Sequence, residues 1–503
     1  VAVFIVRRLI ISVFTLLAAS YLVYVGTALS GDPLQDLYGI QDEGDAQTQM
    51  DARRRAMNLD VPVFLRYFLW LGDLLQGDLG QNKFGQSVSG ILGPAIWATL
   101  QLVIAATVLA IILGVMIGII SALRQYSGFD YTLTFAAFLF YSLPVFWVAV
   151  MLKQFGAIEF NDWLREPRIP LPIIVLVALL AGLAWMAIIG GNRERRVSTF
   201  AIAAVATGGL LWALSETGWF EDPGLGFVAI VVLALSAALG STLLIIGFRY
   251  RPPVIATLST AAVGCVFYLF SEPVLEDPSW PVILLLAVIA VGVGLGIGYV
   301  VGGLQRRQAM AASALTAFLT GGVIFVDYML QAYSGYYDIV RGRPVSTIGA
   351  ATPNFEGSFW ESSLDTAGHL ILPTLALLLI SFAVYTRYTR ASMLEVMNQD
   401  YVRTARSKGL TERTVVTKHA FRNALIPVTT LMAFDFGAVI GGAVITEGVF
   451  GWKGMGQMFI DGLREVDPPP VMAFFLVAGG SVVVFNMLAD IAYGYLDPRI
   501  RVS

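Results

Sequence analysis

Twelve apolar stretches, each about the 20 residues that a membrane-crossing helix needs, dominate this chain. They lie near 9–29, 96–121, 131–153, 171–190, 197–214, 225–248, 254–270, 281–304, 309–330, 369–387, 425–446 and 471–492. Inside lipid each backbone N–H and C=O must be paired within its own segment, so such runs become α-helices. Only 13% of the 503 residues are charged, while 57% are hydrophobic. Soluble domains carry roughly 25% charge, so this chain cannot coat a water-soluble particle of its size. A soluble enzyme, a disordered chain and a nucleic-acid binder are therefore excluded. The expected fold class is an all-α polytopic membrane protein.

The loops test the count. With Arg7 and Arg8 on the cytoplasmic side, alternation puts Arg124, Arg193 to Arg196, Arg249, Arg251, Arg306, Arg307, the basic stretch 387–424 and Arg499 and Arg501 on that side too. Two short loops on the opposite side are acidic, with Glu216, Glu221 and Asp222 in one and Glu272, Glu276 and Asp277 in the other. Basic residues gather inside, as membrane insertion favours. One missed span would invert every later loop. The expectation is twelve spans with N- and C-termini cytoplasmic, the first an uncleaved span rather than a signal peptide. The outer segment 30–95 is polar and too long for a turn, which predicts a small external subdomain with short helices.

The net charge of −3 points to no polyanionic partner. Cys265, the one cysteine, excludes a disulfide framework. His369 and His419 are the only histidines, too few for His-rich metal chemistry. No G-x-x-x-x-G-K-[ST] loop is present, so the chain does not cradle ATP phosphates in that way. No cofactor or metal is expected in this chain.

The cytoplasmic stretch 388–424 carries the most specific pattern. Gly409 reads as the C-cap of one short helix and Thr411 as the N-cap of a second. Small residues at the bend, Ala405 and Gly409, would let another protein approach, within a rim of Arg and Lys. On charge alone, a basic loop contacting anionic membrane lipid is the simpler reading.

Residue order favours the first reading. The run Tyr401-Val402-Arg403-Thr404-Ala405-Arg406-Ser407-Lys408-Gly409, followed by His419-Ala420-Phe421-Arg422-Asn423-Ala424-Leu425-Ile426-Pro427, resembles the coupling loop of ABC importer permeases. More narrowly it resembles the dipeptide/oligopeptide/nickel branch, B-type subunit. Gly77 to Gly80, Asp130 with Ser142 to Trp147, His369 to Pro373, Gly441 to Glu447, Gly454 to Gly456 and the end from Asn486 to Arg501 resemble further family segments in the same order. The resemblance covers roughly 1–160 and 336–503. It implies a type I importer core of six transmembrane helices. It also implies a second homologous permease, two ATP-binding subunits or domains that hold the ATP and Mg, and an extracytoplasmic substrate-binding protein. By the same resemblance, Tyr401, Arg403, Thr404, Ala405, Lys408, Gly409, Leu410 and Glu412 face the ATPase. The chain itself is then a non-hydrolytic subunit of a peptide importer.

Residues 161–335 have no counterpart in that pattern and read as six inserted spans, an even number that preserves the orientation of the core. Gly294, Gly298 and Gly302 share one helix face there, suited to close helix packing. That face is expected to serve a peripheral bundle, with docking of another membrane subunit or lipid as the sharper alternative. Polar groups within spans are costly and tend to line cavities, which makes Asp435, Asn486 and Asp490 candidates for a translocation path. For Asp435 the competing reading is a carboxyl satisfied by Thr429 or Thr430. Glu447 reads as a structural hydrogen-bonding group and Lys153 as a snorkelling lysine. Pro144, Pro373 and Pro427 mark possible breaks. A stand-alone secondary transporter or channel, or the same machinery carrying nickel or another small solute, remains the alternative function.

Overall fold

The computed structural model describes residues 2–39 and 42–496. The fold is all-helical: among the described residues the only β pairing is an isolated bridge between Gln81 and Ser87. The main helices are α1 (Ala2–Ala28), α2 (Glu43–Ala56), α3 (Val63–Leu75), α4 (Val88–Leu123), α5 (Gly128–Ser142) and α6 (Val145–Lys153). Then come α7 (Leu171–Ile189), α8 (Arg193–Glu216), α9 (Gly226–Ile245), α10 (Arg251–Leu269), α11 (Trp280–Val301) and α12 (Arg306–Gln331). The chain ends with α13 (Phe359–Met397), α14 (Asp400–Ser407), α15 (Phe421–Gly442), α16 (Val444–Phe450), α17 (Met455–Arg464) and α18 (Pro468–Leu496).

Among the described residues ten helices are long and apolar enough to cross a membrane. An eleventh span arises if the pair Gly128–Ser142 and Val145–Trp163 counts as one. That pair corrects the continuous helix expected at 131–153: it bends by 98°. Leu143 and Pro144 at the bend are extended, and proline disfavours helical geometry in the residue before it. Pro373 and Pro427 instead lie inside continuous helices.

Helix α13 is the spine of the core. It packs along α4 and also touches α5, α6 and α15, while α18 packs on α15 and α1. The α4–α13 approach depends on Gly118, because a methyl there would lie 2.7 Å from Thr389 Cβ. Between α6 and α13 the chain builds two further units. Helices α7 and α8 form a hairpin against α5; α9, α10, α11 and α12 pack on one another. The glycine face of α11 turns inward onto α12: a methyl on Gly298 would meet Met310 Cα at 2.5 Å. That face is consumed within the chain and is not a docking surface for a partner.

The segment 30–95 carries short helices, a polar α2 and a largely apolar α3. Tyr67 and Trp70 of α3 are buried against Tyr24 of α1 and Met472 of α18, and Tyr67 shares a 2.7 Å hydrogen bond with Ser20. The segment is clamped to the loop before α18 by Lys83, whose backbone N–H donates to Asp467 at 2.7 Å. Its ammonium lies 3.6 Å from both Asp36 and Glu465. We call this the platform end, and the opposite end, where α14 lies, the coupling end.

Candidate functional site

At the coupling end α13 runs on to Met397, and α14 follows after a two-residue break. The amphipathic pattern of α14 decides how it sits. Val402 and Ala405 are buried with Val415 against Val396 and Met397. Tyr401, Arg403, Thr404, Lys408, Gly409, Leu410 and Glu412 are all exposed. Ala405 is thereby corrected: its methyl is part of this chain's own packing, not of a surface open to a partner. Gly409 ends α14 at φ +74°, with its N–H donating to Arg406 O at 2.9 Å and open space where a side chain would project. Only glycine adopts that left-handed conformation without cost.

The second expected helix is not separate. Thr411 accepts from Thr414 N–H, and one turn, Glu412–Thr414, flows through a π-helical turn, Val415–Ala420, into α15. Arg406 donates to Glu412 through Nε at 3.1 Å and Nη2 at 2.7 Å, closing the bend on itself. That pairing holds the Glu412 carboxyl below its usual range. Below the bend Val416, Ala420 and Ala424 bury against Met393 of α13 and Ala122 of α4. Ser392 Oγ donates to Ala424 O at 2.8 Å. The exposed strip is thus mounted rigidly on the two longest helices of the core.

Higher in the core, Asp435 of α15 accepts from Tyr385 of α13 at 2.8 Å. Thr429 and Thr430, the partners considered from sequence, both donate to Ile426 O. Asn486 is half-buried on α18, and the side chain of Asp490 lies outside the described residues. The structure therefore brings Asp435 together with Tyr385.

Glu447 has the structural role expected. It is fully buried, accepts from Thr99 Oγ1 at 2.6 Å and from Gln457 N–H at 3.0 Å, and ties α16 and α17 to α4. Lys153 does not snorkel: its ammonium donates to Val449 O at 2.9 Å, at the end of α16. Sequence reasoning missed Asp327, an acidic residue within α12. It is fully buried and accepts from Leu225 N–H at 2.8 Å, Tyr268 OH at 2.7 Å and Gln331 Nε2 at 2.6 Å. It caps the start of α9. Its signal was a lone carboxylate in an apolar run one turn before Gln331. Among the described residues no cluster of His, Cys, Asp and Glu could hold a metal ion.

Residues 283–502 match the family described as binding-protein-dependent transport system inner membrane component. Over that stretch, a little under half of its length, the chain is similar to this family. The matched region holds α12, α13, the exposed strip and α15 to α18. Relatives extend the match over the whole chain. The oligopeptide transport system permease protein OppB of Mycobacterium tuberculosis is 25% identical over 500 residues, covering 99% of each chain. The oligopeptide transport system permease protein AppB of Bacillus subtilis is 25% identical over 503 residues, again 99% of each. The dipeptide transport system permease protein DppB of Escherichia coli is 44% identical over 138 residues, 27% of this chain and 41% of its own length. With this similarity and these apolar helices, the chain is a multi-pass protein of a prokaryotic cell membrane.

Proposed function

We propose that this chain is a membrane subunit of an ATP-driven peptide importer and receives its drive through the strip from Tyr401 to Glu412. The observation that carries this reading is the strip itself. A helix turn and a glycine bend are left exposed, yet are fixed from beneath by Val402, Ala405 and Val415. A surface of that kind transmits force from a docked protein into α13 and α15. The peptide substrate is taken from the named activities of the relatives, among them oligopeptide and dipeptide permeases.

In this reading all twelve spans form, with both termini cytoplasmic. Two ATP-binding subunits or domains, which hold ATP and Mg, dock at the coupling end. A second homologous permease completes the path, and an extracytoplasmic binding protein delivers substrate to the platform end. The core comprises 1–160 and 336–503, with 161–335 as a peripheral membrane unit. The packing of α9 to α12 on one another, and of α7 on α8, supports that division. Asp435, half-buried and held by the buried Tyr385, is the path residue of this reading.

The test is purification of the chain from its native membrane followed by peptide uptake in proteoliposomes. Co-purified ATPases and uptake that requires ATP are expected. A chain that purifies alone and moves solute without ATP would overturn the importer reading in favour of a stand-alone carrier.

A further inference from the structure

Two arginines one turn apart on α13 grip α5, and the proposed function does not use them. Arg390 forms a fork on Asp130: Nε donates to Oδ1 at 2.7 Å and Nη2 to Oδ2 at 2.9 Å. Asp130 is buried in the first turn of α5 and also accepts from Ser121 Oγ of α4 at 2.5 Å and Tyr126 N–H at 3.1 Å. One carboxylate thus joins α4, α5 and α13. Tyr126, in the link between α4 and α5, has φ +63°, a strained value for a bulky residue. The guanidinium of Arg387 stacks over Phe138 at 4.6 Å and Tyr141 at 4.9 Å. Those rings occupy the far end of α5, just before the 98° bend to α6. Both ends of α5 are therefore held by α13.

The grip begins next to the coupling segment. Met393 lies one turn beyond Arg390 and packs on Val416 and Ala420; Ser392 bonds to Ala424. Beyond the bend, Lys153 at the end of α6 holds the last turn of α16 through Val449 O. A continuous chain of contacts runs from the coupling segment through α13 and α5 to the elbow and on to α16. A bidentate charge pair transmits direction as well as force, because both bonds break when the planes rotate.

We infer that Asp130 and Arg390 are positioning residues that clamp α5 to α13, so that displacement of the coupling segment moves the α5–α6 elbow. This rests on the ATP-driven reading above. Without the clamp the coupling segment still receives the ATPase, but its motion no longer reaches the elbow.

The experiment uses the full complex purified from native membrane and reconstituted with its binding protein. ATP hydrolysis and peptide uptake are measured together for wild type, Asp130→Asn, Arg390→Gln and the double variant. The double variant leaves no lone buried charge, which guards against misfolding. Expected is retention of the ATPase subunits, hydrolysis within about twofold of wild type, and a rise of about fivefold or more in ATP consumed per peptide, the scale of a typical coupling between sites. The double variant should be no worse than either single one, since both remove the same clamp. An unchanged ATP-to-peptide ratio in the double variant would overturn the inference. So would loss of the ATPases or of folding, which would assign the pair to assembly alone. Failure of the importer reading is seen separately, as a wild-type chain that brings down no ATPase.

Discussion

Asp467 sits where the 30–95 segment meets the core, buried, with one carboxylate oxygen on Lys83 N–H and the other without a partner among the described residues. Burial lifts its carboxyl to about 6, the nearby Glu465 adds to the rise, and the Lys83 N–H and the charges of Lys83 and Arg53 oppose it. A carboxyl with a raised folded pKa binds its proton more tightly in the folded state. Its contribution to docking is therefore complete below the ordinary value of 3.8 and is lost as pH rises through about 6. Hydrogen exchange corrected for intrinsic rates should show the 82–88 turn better protected at pH 5 than at pH 8. Asp467→Asn should flatten that dependence. A second residue-scale test concerns Gly454. A methyl there would lie 2.5 Å from both Glu447 Oε1 and Thr99 Oγ1. Gly454→Ala should cost about 1–3 kcal/mol, as overpacking does, visible as a lower melting temperature in detergent. Gly448→Ala, whose methyl stays 3.8 Å from Gln457, should change little.

At the scale of elements, hydropathy located ten of the long helices directly, because lipid demands runs of fixed length and leaves few alternatives. The run expected at 171–190 is helix Leu171–Ile189, and that at 281–304 is Trp280–Val301. Partners were less legible. A period of 3.6 says which residues share a face, but in a membrane both lipid and protein accept an apolar face. Hence the burial of Ala405 beneath the strip was not foreseen, and the close packing expected of the α11 glycines could not be assigned to α12. For Asp435 the competing reading named hydroxyls one turn away, because Tyr385, its partner in the fold, is 50 residues distant in the chain. The 98° elbow was only half visible: Pro144 marks a break in helical geometry, but sequence does not fix its angle. Helix packing makes its own prediction. Gly298→Leu must push α11 off the Met310 backbone, so the second unit should loosen, with lower melting and faster proteolysis between 251 and 331. ATPase retention should be unchanged, because the coupling segment is mounted on α4 and α13. Loss of the ATPases in that variant would show that the units are not separable.

At the scale of the whole molecule, the platform and the coupling strip lie at opposite ends of one helical spine. Of the two units between α6 and α13, the α7–α8 hairpin touches that route at α5 and the four-helix unit touches it at α13. The central claim is that the strip from Tyr401 to Glu412 is where ATPase docks, and site-directed cross-linking tests it most directly. Cys265 is the one cysteine to remove. With Cys265→Ser as background, Leu410→Cys and Thr404→Cys place a thiol on the exposed strip, while Ile348→Cys places one on an exposed residue beside Gly451 at the platform end. In native membrane vesicles treated with a short bifunctional maleimide, the account predicts an adduct with an ATP-binding subunit from Leu410→Cys and Thr404→Cys and none from Ile348→Cys. An ATPase adduct from the platform position, with none from the strip, would contradict it.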